Sequence, residues 1–177
     1  QKKVERDRKK MSEKSISDLF QFRYLTSPLK RIKLPQRVVH NDTKINNILF
    51  DKRTGKAVCV IDLDTLMPGN MLYDFGDMVR TFTPALDENS NDYDNIQVRP
   101  AILDALTKGY LAGWGDALTE LESSALMYGA KLTIYEQALR FLTDFLNGNI
   151  YYQVKDKEQN LVRAKNQICL LESLLKI

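Results

Sequence analysis

The run His40-Asn41-Asp42-Thr43-Lys44-Ile45-Asn46-Asn47, followed further on by Val60-Ile61-Asp62-Leu63-Asp64, decides how this chain folds. Between the two lie the apolar runs Ile48-Leu49-Phe50 and Ala57-Val58-Cys59, separated by the turn cluster Asp51-Lys52-Arg53-Thr54-Gly55-Lys56. Short apolar runs on either side of a polar, Gly-containing turn predict a β-hairpin. Such a hairpin reverses the chain and returns Asp62 to the end where Asn47 enters it. Arg37-Val38-Val39, just ahead of His40, reads as a further short strand.

Three polar residues around the mouth of an apolar hairpin suit phosphoryl transfer better than packing. That chemistry needs one carboxylate to orient and deprotonate the attacking hydroxyl, and oxygen ligands to hold Mg2+ on the nucleotide phosphates. Asp42, at the end of a polar loop, suits the first role. Asn47 and Asp62 suit the second. The spacing His-x-Asp-x-x-x-x-Asn is that of the protein-kinase catalytic loop, and Asp62 stands where those enzymes carry their second magnesium aspartate. His40 reads as a brace for the backbone rather than a proton carrier. Lys44 either neutralises phosphate charge or is a solvated lysine. Asp64 either ligates metal through water or holds the loop. Asp74 and Asp77, near the start of the next helix, read as capping or bracing residues.

Outward from this stretch the pattern is helical. Residues 3–26 carry Leu19, Phe20, Phe22 and Leu25 on a partly apolar face, with Pro28 closing the segment. Further helices are predicted over 73–82, 101–113, 116–127, 130–146 and 158–176. The last has Leu161, Ala164, Ile168, Leu171 and Leu175 at core spacing. Residues 84–100, rich in Asn and Asp, read as a surface loop. The fold class is therefore α+β and mostly helical, with residues 1–36 as an N-terminal helical segment and 37–177 as the catalytic lobe.

Composition narrows the class. At 177 residues and 44% hydrophobic, the chain can bury a full core. No apolar run reaches the length of a membrane span. Residues 1–14 hold seven of the 26 basic and three of the 23 acidic residues, so the body, with 19 and 20, is nearly neutral. The signs alternate along that arm and no aromatics interleave, so a solvated helix face is expected and no nucleic-acid partner. A single histidine excludes a multi-histidine metal site. Cys59 and Cys169 lie in apolar stretches, as reduced, buried thiols of a cytoplasmic protein would.

The run His40–Asp51, with Val60-Ile-Asp-Leu-Asp-Thr-Leu-Met-Pro-Gly69 and Tyr73-Asp-Phe-Gly-Asp77, resembles the aminoglycoside phosphotransferase and choline kinase superfamily. Arg140-Phe-Leu-Thr-Asp-Phe-Leu-Asn-Gly-Asn-Ile-Tyr-Tyr152 and Asn160-Leu-Val-Arg-Ala-Lys165 are most similar to the N-acetylhexosamine 1-kinases within it. The resemblance implies the C-terminal lobe of a protein-kinase-like fold and ATP-dependent phosphorylation of a sugar's anomeric hydroxyl. It implies Asp42 as base, Asn47 and Asp62 as magnesium ligands, and Arg140 and Tyr151 as sugar contacts. From the residues alone, Arg140 also suits an ion pair with Asp144 four positions on, and Tyr152 competes with Tyr151 as a platform. No Gly-rich loop or strand-borne lysine precedes residue 37, and the chain opens on Gln1, so the N-terminal nucleotide-binding lobe is expected to be a missing partner and the piece alone inactive. Two other readings stand beside this one: a phosphotransferase for an aminoglycoside, choline or similar amine, and an inert binding module.

Overall fold

The computed structural model describes residues 2–28 and 33–177. Helix α1 (Lys2–Gln21) runs into a 3-10 turn over Phe22–Thr26. Strand β1 (Arg37–Val39) leads to the Asp42 loop, a 3-10 turn (Ile45–Asn47), and the hairpin β2 (Ile48–Phe50) and β3 (Ala57–Val60). A further turn (Leu63–Thr65) and strand β4 (Met67–Gly69) precede helices α2 (Met71–Phe82), α3 (Pro100–Trp114), α4 (Glu120–Asn147) and α5 (Gln159–Leu174). The fold is α+β and mostly helical, with two small antiparallel sheets.

Helix α4 is the spine. It packs against α5 and α2, with α1 laid along it and α5. Its Leu126, Ala130, Ile134, Ala138, Phe141 and Phe145 are buried, at the spacing of one helical face. From α2, Phe75 and Val79 enter the same core, and Leu161, Ala164, Ile168 and Leu171 enter it from α5. Each large apolar side chain so buried contributes about 1.5–3 kcal/mol.

The sequence predicts two helices, 116–127 and 130–146, where the structure has one. Thr119 starts α4 through a reciprocal capping box with Glu122, so residues 115–117 form a separate 3-10 turn. Gly129 stays inside the helix because α2 crosses there. A Cβ at Gly129 would meet Leu72 Cβ at 2.7 Å, and one at Gly76 would meet Thr133 Oγ1 at 2.2 Å. These glycines set the approach of two helices, and neither ends one.

The predicted hairpin forms, with Ile48 opposite Val60 and a bulge between Leu49 and Phe50. The second sheet is unexpected. Strand β4 pairs with β1, Val38 opposite Pro68 and Val39 opposite Met67, although its Pro68-Gly69 is a dipeptide that marks loops. Three expectations of burial need correction. Cys59 is exposed, because β3 is uncovered on both faces. Residues 84–100 are not all surface loop: Ile96 and Val98 are 4% exposed and pack in the core. That segment is strapped to α5, where Asn166 Nδ2 donates to the carbonyls of Asp87 and Ser90. Phe20, expected on the apolar face of the first helix, is 63% exposed. Among the described residues, no helix is long and apolar enough to cross a membrane.

Candidate active site

The loop that carries Asp42 is held from below by α2. Asp74, in the first turn of that helix, accepts the backbone N–H of His40 at 2.8 Å on one oxygen and that of Asn41 at 2.8 Å on the other. Thr43 Oγ1 donates to the Asp74 carbonyl at 2.6 Å. Asn70 caps the helix, so Asp74 is free to brace the loop. Asn41 takes a left-handed backbone, φ 62°, which Asn tolerates better than most residues. His40 is buried, and its Nε2 lies 3.1 Å from the Ile61 carbonyl oxygen, tying the loop to the end of the hairpin.

Three side chains meet in the loop. Asp42 Oδ2 accepts from Lys44 Nζ at 2.6 Å and from Asn47 Nδ2 at 2.9 Å, and Asn47 Nδ2 also reaches the Asp42 carbonyl at 2.8 Å. Asp42 Oδ1 is the oxygen left for a ligand. Burial disfavours the Lys44 charge, but the bond to Asp42 and the nearby charges of Asp42, Asp62 and Asp77 outweigh it and hold the ammonium above the ordinary lysine value. Asp62 therefore lies within electrostatic reach of the loop. The Ile61 N–H donates to the Asn47 carbonyl at 2.9 Å, which brings Asp62 back beside Asn47. Asp62 has φ 66°, a left-handed conformation that costs of order 1 kcal/mol in an L-residue. Asp64 sits exposed on the next turn.

A cavity of about 800 Å3 opens beside Asp42, within the size range of small-molecule sites. Asp42, Asp77, Glu88 and Glu136 line it with carboxylates. Lys44, Arg80, Arg140 and Arg163 line it with cations, so its formal charge balances. Burial raises the pKa values of Asp77 and Glu136, with Arg80 and Arg140 respectively opposing the shift. Asn47 and Asp62 stand outside this cavity, on the hairpin side.

Arg140 does not pair with Asp144, as one reading of the sequence allows. Its guanidinium lies 5.8 Å from the ring centres of both Tyr151 and Tyr152. Asp144 is occupied instead by the loop after α4. It accepts the backbone N–H groups of Ile150, Tyr151 and Tyr152 at 2.9, 2.8 and 3.0 Å, and Asn160 Nδ2 at 2.8 Å. Burial opposes the charge on Asp144, but these donors outweigh it and lower the pKa. The two tyrosines are thus held differently. Tyr152 packs on Phe141 and accepts from Gln137 Nε2 at 3.1 Å, whereas Tyr151 is 73% exposed at the cavity mouth.

A family model described as "Phosphotransferase enzyme family" matches residues 4–123, more than half the chain and the whole of the Asp42 loop and hairpin. The chain belongs to the phosphotransferase enzyme family. The match ends before Arg140 and Tyr151, so the part of the cavity wall that they form lies beyond the stretch that carries the family signal. Phosphoryl transfer is the family's chemistry.

The sequence reading missed much of the cavity wall. Tyr73, Asp77 and Arg80 follow one another at helical spacing on α2, and Thr133, Glu136, Gln137 and Arg140 do so on α4. A polar stripe on each of two otherwise buried helices was the available signal. It is invisible to a search for loop motifs.

Proposed function

We propose that the protein transfers the γ-phosphoryl group of ATP to a sugar hydroxyl, with an N-acetylhexosamine and its anomeric hydroxyl as the acceptor. The observation that carries this reading is the charge-balanced cavity that puts Arg140 and Tyr151 in one space with Asp42. A cavity with a net negative lining would draw cationic aminoglycosides or choline, whereas a neutral one lined by donors, acceptors and an aromatic suits a polyhydroxylated ring. Arg140 and Tyr151 would contact that ring, with Tyr151 exposed enough to swing onto it.

In this reading Asp42 Oδ1 accepts the proton of the attacking hydroxyl. The sugar oxygen forms a bond to the γ-phosphorus while the bond from that phosphorus to the bridging oxygen breaks, and its electron pair leaves with ADP. His40 and Asp74 keep the loop from shifting, which matters because positioning supplies most of the rate in this chemistry. Lys44 stands where it can accompany phosphate charge. Asn47 and Asp62 suit Mg2+. The amide nitrogen of Asn47 is spent on Asp42, which leaves its carbonyl oxygen for a cation, and Asp62 offers an exposed carboxylate. Among the described residues, no group of three His, Cys, Asp or Glu could hold a metal alone. A Mg2+ ion held by Asn47 and Asp62 would complete its shell with phosphate oxygens. When bound, Mg2+ would neutralise charge on the transferring group. An N-terminal lobe would complete the nucleotide site.

The test is an acceptor panel with full-length protein, ATP and Mg2+: N-acetylglucosamine, N-acetylgalactosamine, kanamycin and choline, read by phosphorus NMR of the products. A sugar 1-phosphate from the first two alone is expected. Phosphorylation of kanamycin or choline with neither sugar turned over would overturn the proposal.

A further inference from the structure

Four carboxylates line the cavity of the candidate site, and three of them are engaged. Asp42 Oδ2 accepts from Lys44 and Asn47, Asp77 Oδ1 accepts from Arg80 Nε at 2.9 Å, and Glu88 Oε2 accepts from Arg80 Nη1 at 2.6 Å. The fourth, Glu136 on α4, is the exception: among the described residues its side chain has no hydrogen bond and no ion pair. It is partly exposed, and the unpartnered atoms sealed from solvent are on His40, Asp77, Thr133 and Gln167 alone, so the Glu136 oxygens are open to a ligand.

The packing of α4 does not account for this. Glu136 stands four residues before Arg140, the order in which a helix best closes an ion pair. The pair stays open, and the Arg140 guanidinium lies instead 5.8 Å from the ring centres of Tyr151 and Tyr152. Burial holds the Glu136 carboxyl above its ordinary value, with Arg140 opposing. In an acid, a pKa raised by folding means that the charge carried at neutral pH weakens the fold. The same charge helps to raise the pKa of Tyr73 on α2, after burial, so the carboxylate lies within reach of both helical walls of the cavity. Perturbed groups of this kind cluster at functional sites.

Resting on the acceptor reading above, we infer that the Glu136 carboxylate is a specificity-determining group that accepts a hydrogen bond from a non-reacting hydroxyl of the acceptor. A carboxylate and a guanidinium one helical turn apart suit two neighbouring hydroxyls of one ring, the first donating to Glu136 and the second accepting from Arg140. An ammonium is the poorer fit, because the Arg140 charge lies close to the carboxylate. Asp42 keeps the reacting hydroxyl. Glu136 fixes how the ring lies, and so which hydroxyl meets Asp42.

The experiment compares wild type with Glu136→Gln in the full-length protein, by thermal melt and by kinetics. The acceptors are N-acetylglucosamine, a set of analogues each lacking one non-reacting hydroxyl, and glucosamine. The variant should melt no lower than wild type, because the amide keeps the shape and removes an unpartnered charge. It should lower kcat/KM for N-acetylglucosamine about tenfold, the scale of one charge-assisted hydrogen bond, and leave KM for ATP unchanged. One analogue, already poor with wild type, should lose no more than about twofold further, because the bond is missing on both sides of the comparison. A melt well below wild type, or an equal loss across all analogues, would make Glu136 a support of the fold, and wild-type kinetics would mean that it touches nothing; each overturns the inference. A loss confined to glucosamine would mean that Glu136 reads an ammonium, and overturns it too. Should wild type turn over no N-acetylhexosamine but another polyhydroxylated acceptor, the acceptor reading falls, and Glu136 is judged by the same criterion on deoxy forms of that acceptor. Turnover only of an acceptor with no second hydroxyl, such as choline, would overturn both.

Discussion

At the scale of single residues, the most informative side chain is one the sequence left in an ambiguous place. Asp144 sits four positions after Arg140, and that spacing alone allows an ion pair. The structure spends it on three successive backbone N–H groups, which lock the turn bearing Tyr151 and Tyr152. Asp144→Asn keeps the shape and removes the charge. It should cost about 1–3 kcal/mol of unfolding free energy in urea melts. If that turn contacts the acceptor, as proposed, the variant should also raise KM for the acceptor while leaving KM for ATP unchanged, because only the tyrosine loop loosens. An unchanged acceptor KM would separate the tyrosine loop from catalysis. The pairing of Asp42 with Asn47, five residues on, was legible from spacing, and Asn47 Nδ2 donates to Asp42 Oδ2 at 2.9 Å. Asp77 was not, because near a helix start it looks like any capping acid. Its partner Arg80, and the Glu88 carboxylate that holds that arginine from its other side, declare themselves only in three dimensions.

At the scale of elements, strand β1 is anchored through one ion pair. The fully buried Glu122 carboxylate, part of the box that caps α4, accepts from Arg37 Nε at 2.9 Å and Nη2 at 2.8 Å. The Arg37 guanidinium, with Thr119, pulls the Glu122 pKa down to about 2. A carboxyl held below its ordinary value adds stability that is present above the unfolded pKa and lost as pH falls through the folded one. Stability should therefore decline between about pH 4.5 and pH 2, and Glu122→Gln should flatten that decline while lowering stability at pH 7 by about 1.5–3 kcal/mol. Urea midpoints across that pH range check it, and parallel acid profiles for variant and wild type would contradict it. Arg37 thereby ties the strand leading into the Asp42 loop to the same helix that carries Arg140. No local pattern could announce this pair, whose members lie far apart in sequence. The single α4 was obscured for a related reason. A glycine that admits a neighbouring helix looks, in sequence, like a glycine that ends one.

For the molecule as a whole, stability is unevenly spread. Helices α2, α4 and α5 share one core, whereas the hairpin has Leu49, Phe50, Val58 and Val60 all about half exposed or more. Native-state hydrogen exchange should show α4 amides opening only with global unfolding and hairpin amides opening at far lower free energy. Equal protection in both would mean that the hairpin is covered in solution. The hairpin runs were easy to recognise as strands, but their apolar character was a poor guide to burial.

Phosphoryl transfer at this loop depends above all on Asp42. In the full-length protein, Asp42→Asn should fold, bind ATP and N-acetylglucosamine with affinities near wild type, and lower kcat about 10²–10⁴-fold, the range of a lost general base. Turnover by Asp42→Asn within a few-fold of wild type would contradict the assignment of this loop as the site of phosphoryl transfer.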